Sequence, residues 1–254
     1  VAIAGGAALN GKVARVFGGL GLAPIQGYGM TEASPIIAGN SLTINQPDTV
    51  GKLFSNLQMR LAPETHEIQI RGSSIMKGYW KRPEDTARVL DSEGWLSTGD
   101  VGEINESGLL RIKGRIKEII VTSTGEKVPP VDLELALETD PLFSQAYVVG
   151  ENKPFISAVT VLNPEEWKKL AAELKVSANE ASLKLTSVRT AILKRVKAAA
   201  ADFPHYALPR KVLLTLKPWT IENGLLTPTL KLKRTPLAKF FKKEIDEIYE
   251  KHDK

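Results

Sequence analysis

Gly114-Arg115-Ile116-Lys117-Glu118-Ile119-Ile120 divides the sequence into two unlike parts. Upstream of it the pattern is one of short strands. Leu57-Gln58-Met59-Arg60-Leu61 and Glu67-Ile68-Gln69-Ile70-Arg71 are apolar at every second position, the period of a half-exposed strand. Glu103-Ile104 and Leu109-Leu110-Arg111-Ile112 flank Glu106-Ser107-Gly108, which predicts a hairpin. A small antiparallel sheet or barrel is therefore expected over 50–113, with a helical excursion over 83–90. At the start, the apolar run Val1-Ala2-Ile3-Ala4 ends in Gly5-Gly6, and 10–20 carries Val13, Val16 and Phe17 on one helical face.

Downstream of the divide, strand and helix alternate. Strands are expected over 118–121, 146–149, 156–162 and 211–216, and a helix over 131–138 is stopped by Asp140-Pro141. Asn163-Pro164-Glu165-Glu166 reads as a helix start, with asparagine at the cap, proline at the first position and glutamate three after the cap. Leu185, Val188, Ile192 and Val196 give a second helix its apolar stripe. A last helix opens at Thr235-Pro236 and turns Leu237, Phe241, Ile245 and Ile248 inward. The expected fold is mixed α+β: a strand–helix segment and a small antiparallel β-barrel over 1–114, then a small α+β domain over 115–254.

Composition removes several classes of function. The 254 residues are 43% hydrophobic and 25% charged, enough apolar content to exclude wholesale disorder. There is no cysteine, which excludes disulfides, thiolate metal sites and cysteine nucleophiles, and fits a reducing, cytoplasmic setting. His66, His205 and His252 have no ligand spacing for zinc. The uncharged run 16–31 is too short and glycine-rich to span a bilayer, so no transmembrane segment is expected and peripheral membrane contact stays open. A chain that starts at Val1, directly in an apolar strand, reads as a piece of something longer. Residues 1–114 hold 11 Lys+Arg against 11 Asp+Glu, and 115–254 hold 23 against 18, so the +5 net charge lies in the second part. A solvated lysine-rich surface explains that excess as readily as an anionic partner does.

Three phosphate-binding patterns fail. Gly6-Ala7-Ala8-Leu9-Asn10-Gly11-Lys12-Val13 is one residue short of a Walker loop and places valine where a hydroxyl would hold magnesium. Gly19-Leu20-Gly21 meets Pro24, and Gly27-Tyr28-Gly29 meets Glu32, where a third glycine belongs. Thr122-Ser123-Thr124-Gly125-Glu126-Lys127 could cradle phosphate, and a plain turn explains it equally well.

Four motifs in one order carry more weight. Gly27-Tyr28-Gly29-Met30-Thr31-Glu32 is followed by Gly94-Trp95-Leu96-Ser97-Thr98-Gly99-Asp100, then by the Gly114–Ile120 stretch, and finally by Leu226-Thr227-Pro228-Thr229-Leu230-Lys231-Leu232-Lys233-Arg234. This succession resembles the adenylate-forming (AMP-dependent synthetase/ligase) superfamily over essentially the whole chain. Within it, the ending and the 122–130 loop look most like long-chain fatty acyl-CoA or acyl-ACP synthetases.

The resemblance implies a role for each matched residue. Thr31 would contact the phosphate of ATP and of the acyl-adenylate, and Glu32 would help hold magnesium. Tyr28 would offer adenine an aromatic face beside Gly29, and Gly5, Gly6 and Ala7 would line the adenine and acyl groups. Asp100 would accept hydrogen bonds from the ribose diol, with Arg115 adding a contact near ribose or phosphate. Lys117 would be the hinge between a large and a small domain, Gly125 would lie in the loop lining the thiol tunnel, and Lys231 would be the catalytic lysine. Leu230 departs from the glycine the family usually has before that lysine.

The resemblance thus implies an enzyme that activates a fatty acid with ATP and Mg2+ as acyl-AMP and passes the acyl group to coenzyme A, or to the phosphopantetheine of an acyl carrier protein. The lysine-bearing loop that grips the β- and γ-phosphates in complete members has no counterpart in this sequence. The C-terminal half of such a ligase, inactive alone, is therefore the expectation. Two other readings remain open: a non-catalytic basic binding module, and a luciferase-like oxygenase that shares the motifs. A nucleic-acid partner is not expected, since only Phe240 and Phe241 interleave with the basic C-terminal stretch.

Overall fold

A computed structural model describes residues 2–6 and 9–250. The chain divides into two compact units, Val1–Glu118 and Ile119–Lys254.

The first unit opens with β1 (Ala2–Ala4), α1 (Gly11–Gly19) and β2 (Pro24–Gly29). Asn10 caps α1 by accepting the Lys12 amide at 2.8 Å. The helix buries Ala14, while Val13, Val16 and Phe17, the apolar face of the sequence, are exposed in this chain. β1 pairs in parallel with β2, and β3 (Ile36–Gly39) and β4 (Lys52–Leu53) extend the sheet antiparallel in the order β1-β2-β3-β4.

A second sheet contains β5 (Leu57–Leu61), β6 (Glu67–Gly72), β7 (Leu96–Ile104) and β8 (Leu110–Arg115), all antiparallel and in sequence order. α2 (Pro83–Ala87) lies between β6 and β7. It stops short of the expected 83–90 because Leu90 is already extended, bridging to Leu96. The 105–109 turn joins β7 to β8, with the Asn105 side chain accepting the Ser107 and Leu109 amides. The sheet is open, which corrects the expected barrel. The outer side of β8 is taken by Val50-Gly51: the Val50 amide donates to Leu110 O at 2.8 Å, and the Leu110 amide to Gly51 O at 2.9 Å. Gly51 can lie there because it has φ +83 and no Cβ, which would come within 2.0 Å of Gly39 O. Ile37, Ile68, Ile70, Leu96 and Leu110 fill the core of this unit.

The second unit begins with the hairpin β9 (Ile120–Val121) and β10 (Lys127–Val128). The strand expected over 118–121 is shorter because Ile116–Glu118 forms a 3-10 turn. Then follow α3 (Pro130–Leu137), β11 (Phe143–Val149), β12 (Ser157–Leu162), α4 (Pro164–Glu173), α5 (Thr186–Ala199) and β13 (Lys211–Thr215). Asn163 caps α4 as its sequence predicts, accepting the Glu165 and Glu166 amides. Leu185, counted in the apolar stripe, precedes α5 and is exposed. The expected last helix is two, α6 (Arg234–Phe240) and α7 (Lys242–Glu250), separated at Phe241. The break lets Phe241 join Leu237, Ile245 and Tyr249 in the core, while Phe240 stays exposed.

β12 sits between antiparallel β11 and parallel β13 and is buried along its whole length. Its alternate residues serve two cores, as a strand covered on both faces must. Ala158 and Leu162 belong to the core that includes Leu133, Leu137, Trp167, Val188, Ile192 and Val196. Val159 and Val161 belong to the one that includes Trp219, Leu237, Phe241 and Tyr249.

Candidate active site

Parallel pairing of β1 with β2 brings the end of one strand beside the middle of the other. Ala4 is opposite Gln26, so Gly5 follows alongside Gly27, and a Cβ on Gly5 would lie 3.7 Å from Gly27 O. β2 ends in a tight reversal. The Met30 amide donates to Pro35 O at 2.7 Å, Thr31–Ala33 forms a 3-10 turn, and Ser34 takes the left-handed conformation with φ 57. Gly29 must be glycine here, because a Cβ would sit 1.9 Å from Pro35 O. The reversal leaves the Thr31 hydroxyl exposed, and Glu32 is tied on two sides. Its carbonyl accepts the Met76 amide, and its Oε1 accepts the Tyr79 hydroxyl at 2.8 Å. That bond holds the Tyr79 phenol above its ordinary pKa.

Asp100 is the second fixed carboxylate of this unit. The Tyr28 hydroxyl donates to its Oδ2 at 2.6 Å, and Arg115 Nε lies 3.0 Å from its Oδ1. Arg115 is placed by register, since Asp100 and Arg115 are direct cross-strand partners on β7 and β8. Asp100 itself is held by the turn at Thr98-Gly99. Its amide donates to the Thr98 hydroxyl, which donates to Ile68 O, and the Gly99 amide donates to Glu67 Oε1. Burial, and then the Asp100 charge, push the Tyr28 phenol far above its ordinary range, so it remains a donor. The Asp100 side chain is 15% exposed. A carboxylate has about four lone-pair positions, so two bonds leave capacity for a diol.

The first unit thus joins Tyr28, Asp100 and Arg115 by direct contacts, sets Gly5 beside Gly27, and puts Thr31 and Glu32 in the turn that follows Gly29. Gly6 follows Gly5 with φ +80, and Ala7 lies outside the described residues. Lys117 is exposed in the 3-10 turn two residues past Arg115.

Gly125 and Lys231 belong to the second unit, in two five-residue turns of the same design. In 122–126 the Thr122 amide donates to Glu126 O, the Glu126 amide to the Thr122 hydroxyl, and the Gly125 amide to Thr122 O. In 227–231 the Thr227 amide donates to Lys231 O, the Lys231 amide to the Thr227 hydroxyl, and the Leu230 amide to Thr227 O. Each turn also pairs two threonine hydroxyls, Thr122 with Thr124 at 2.9 Å and Thr227 with Thr229 at 3.0 Å. The fourth residue is left-handed in both, Gly125 at φ 85 and Leu230 at φ 61. The departure of Leu230 from glycine is therefore a leucine in a glycine conformation. Lys231 is exposed as the closing residue of its turn.

Sequence reasoning missed Tyr79, Thr98 and Glu67, whose contacts depend on segments with no shared periodicity. It also missed Glu134, a buried carboxylate bonded to Arg234. One signal was available: Glu134 lies on α3 beside Leu133 and three residues before Leu137, both fully buried, so it falls on the apolar face. Among the described residues no three His, Cys, Asp or Glu side chains converge as a metal site. Glu32 is a carboxylate of the kind that binds Mg2+, an ion commonly held by one or two carboxylates.

Comparison with known proteins places this fold. Residues 1–80 match the family described as AMP-binding enzyme, and residues 117–253 match the AMP-binding enzyme C-terminal domain. The chain belongs to the AMP-binding enzyme family. Long-chain-fatty-acid–CoA ligase FadD15 of Mycobacterium bovis is 36% identical over 253 residues, covering 98% of this chain and 42% of that protein. The chloroplastic long-chain-fatty-acid–[acyl-carrier-protein] ligase AEE15 of Arabidopsis thaliana is 30% identical over 267 residues, covering 97% of this chain and 35% of that one. Among solved structures, the A domain of a carboxylic acid reductase from Segniliparus rugosus, in complex with AMP and a co-purified carboxylic acid, superposes with a TM-score of 0.81 at 26% identity. That match covers 99% of this chain and 39% of the other. The chain therefore spans about two-fifths of the length of these relatives.

Proposed function

We propose that this chain supplies part of an ATP-dependent ligase that activates a fatty acid as acyl-AMP and transfers it to the thiol of coenzyme A. The observation that carries this reading is the Tyr28–Asp100–Arg115 arrangement beside the Thr31-Glu32 turn. It offers a hydrogen-bonded carboxylate for a ribose diol next to a hydroxyl and a second carboxylate for phosphate and Mg2+. The names of the 36%- and 30%-identical relatives support fatty acid as the substrate class.

In the first half-reaction a carboxylate attacks the α-phosphate of ATP and pyrophosphate leaves. Thr31 binds the phosphate, Asp100 the ribose, and Arg115 holds the Asp100 carboxylate in place while adding positive charge. Gly5 and Gly6 leave room for adenine and the acyl group, with Ala7 assigned the same part, and Tyr28 and Gly29 border the adenine. Glu32 would hold Mg2+, which when bound offsets phosphate charge. Lys231 supplies a cation where negative charge accumulates between the carboxylate and the α-phosphate. In the second half a thiol attacks the acyl carbon and AMP leaves. We assign Lys117 as the hinge that lets Lys231 be withdrawn and the Gly125 turn be presented. An acyl carrier protein is the alternative acceptor, favoured by the name of the Arabidopsis relative.

ATP–pyrophosphate exchange by the full-length enzyme carrying this sequence, across acids of increasing chain length, tests the reading. Exchange is expected with long-chain acids. No exchange with any fatty acid overturns the substrate class.

A further inference from the structure

α3 covers the outer edge of the β11-β12-β13 sheet and answers it with two carboxylates. The Val148 amide donates to Glu134 Oε1 at 2.8 Å, and the Ala146 amide to Glu138 Oε1 at 2.9 Å. Four residues on a helix and two on a strand span similar distances, so the pair matches the spacing of alternate edge amides. The Glu138 carboxylate serves the Ala146 amide. Glu134 also receives the Arg234 guanidinium in a two-pronged ion pair, Nη1 to Oε1 and Nη2 to Oε2, both at 2.8 Å. The side chains are 7% and 21% exposed, so solvent weakens the pair little.

Arg234 is the first residue of α6 and lies at the foot of the turn that carries Lys231. The Lys233 amide donates to Leu225 O, and Leu226 bridges Leu232, so Arg234 closes this short ladder from below. Nothing in packing alone requires a charge at Glu134, because a neutral amide could accept the Val148 amide equally well. The charge is matched by the Arg234 guanidinium. We infer that the Glu134–Arg234 pair is a positioning device for Lys231: it fixes the base of the 226–232 hairpin to α3 and the sheet edge, so that the lysine is presented from a rigid support. This inference rests on the proposed role of Lys231 for its catalytic consequence, and on geometry alone for its structural one.

The two consequences are measured separately. In the 254-residue chain, Glu134→Gln keeps an acceptor for Val148 and removes the charge. Amide hydrogen exchange should then speed up at least tenfold at Thr227 and Lys231, and change less than twofold at Thr122 and Glu126, which have the same bonds in a turn that Glu134 does not touch. Equal acceleration in both turns, or none in either, overturns the positioning role whatever Lys231 does. If Glu134→Gln does not fold, Arg234→Lys replaces it, since it keeps the charge and gives up the two-pronged geometry. In the full-length enzyme, Glu134→Gln should lower the rate constant for acyl-AMP formation about tenfold, leave KM for ATP within twofold, and spare thioester formation from supplied acyl-AMP. Placed in a Lys231→Ala background it should cost nothing further, and a full additional tenfold loss there overturns the coupling. If Lys231→Ala alone leaves adenylation intact, the role of that lysine is what fails, and the exchange result stands independently.

Discussion

Asp100 and Leu230 show what single residues contribute here. The Asp100 carboxylate is oriented by Tyr28 and Arg115 before any ligand arrives, so it loses little freedom on accepting a ribose diol. In the full-length enzyme, Asp100→Ala should raise KM for ATP by the loss of a charged hydrogen bond, about 1.5–3 kcal/mol or roughly 10- to 150-fold. If the mutant discriminates 2′,3′-dideoxy-ATP from ATP as well as the parent does, the ribose assignment is wrong. Leu230 is a different case. A β-carbon in the left-handed region costs roughly 1–2 kcal/mol, and this leucine is 68% exposed, so packing returns little of it. Leu230→Gly should stabilise the chain by about 0.5–1 kcal/mol after allowing for glycine's larger unfolded-state entropy. Gly125→Leu, in the twin turn, should destabilise by about the same amount or more. Chemical denaturation of both variants is the measurement, and two changes of the same sign would mean that φ does not govern these turns.

At the scale of elements, docking of α7 contributes to alkaline stability. Tyr249 is 5% exposed and donates to Val149 O and Phe155 O at 3.3 and 3.2 Å, joining α7 to the end of β11 and the segment before β12. Burial pushes its phenol up to about 12. An unfolded tyrosine titrates near pH 10. Between these values the folded state holds a proton that the unfolded state has released. The stabilising contribution is therefore complete below about pH 10 and is lost as pH rises through 12, an effect on the order of 2 kcal/mol. The difference in unfolding free energy between parent and Tyr249→Phe should shrink over that window, and a difference constant from pH 9 to 12 would contradict the burial argument. Legibility at this scale followed the type of signal. The N-cap at Asn163 is local chemistry, and the sequence placed it correctly. The break at Phe241 is not local, because the apolar period continues through it. The open second sheet likewise depends on Val50-Gly51, which pairs with Leu110 from about sixty residues away and has no alternating pattern of its own.

For the whole molecule, the proposed division of labour between the two half-reactions makes the sharpest test. If Lys231 serves adenylation alone, Lys231→Ala in the full-length enzyme should slow acyl-AMP formation roughly 10²–10³-fold. Thioester formation from supplied acyl-AMP should be close to the parent rate. Lys233→Ala is the control, and single-turnover rates for each half decide the matter. Equal losses in both halves would remove the argument for alternation.

The mixed α and β content and membership of the AMP-binding family were readable from residue order, because periodicity, caps and ordered motifs are properties of neighbouring residues. The candidate residues Thr31, Glu32, Asp100, Arg115 and Lys231 were proposed from those motifs. Only the tertiary structure decided what holds them. Tyr28 meets Asp100 across 72 positions, and Arg234 meets Glu134 across 100. Each such bond joins one polar atom to another and repeats nowhere along the chain. Its position is set by strand register and by which sheet edge is left to satisfy, and neither is expressed in local sequence.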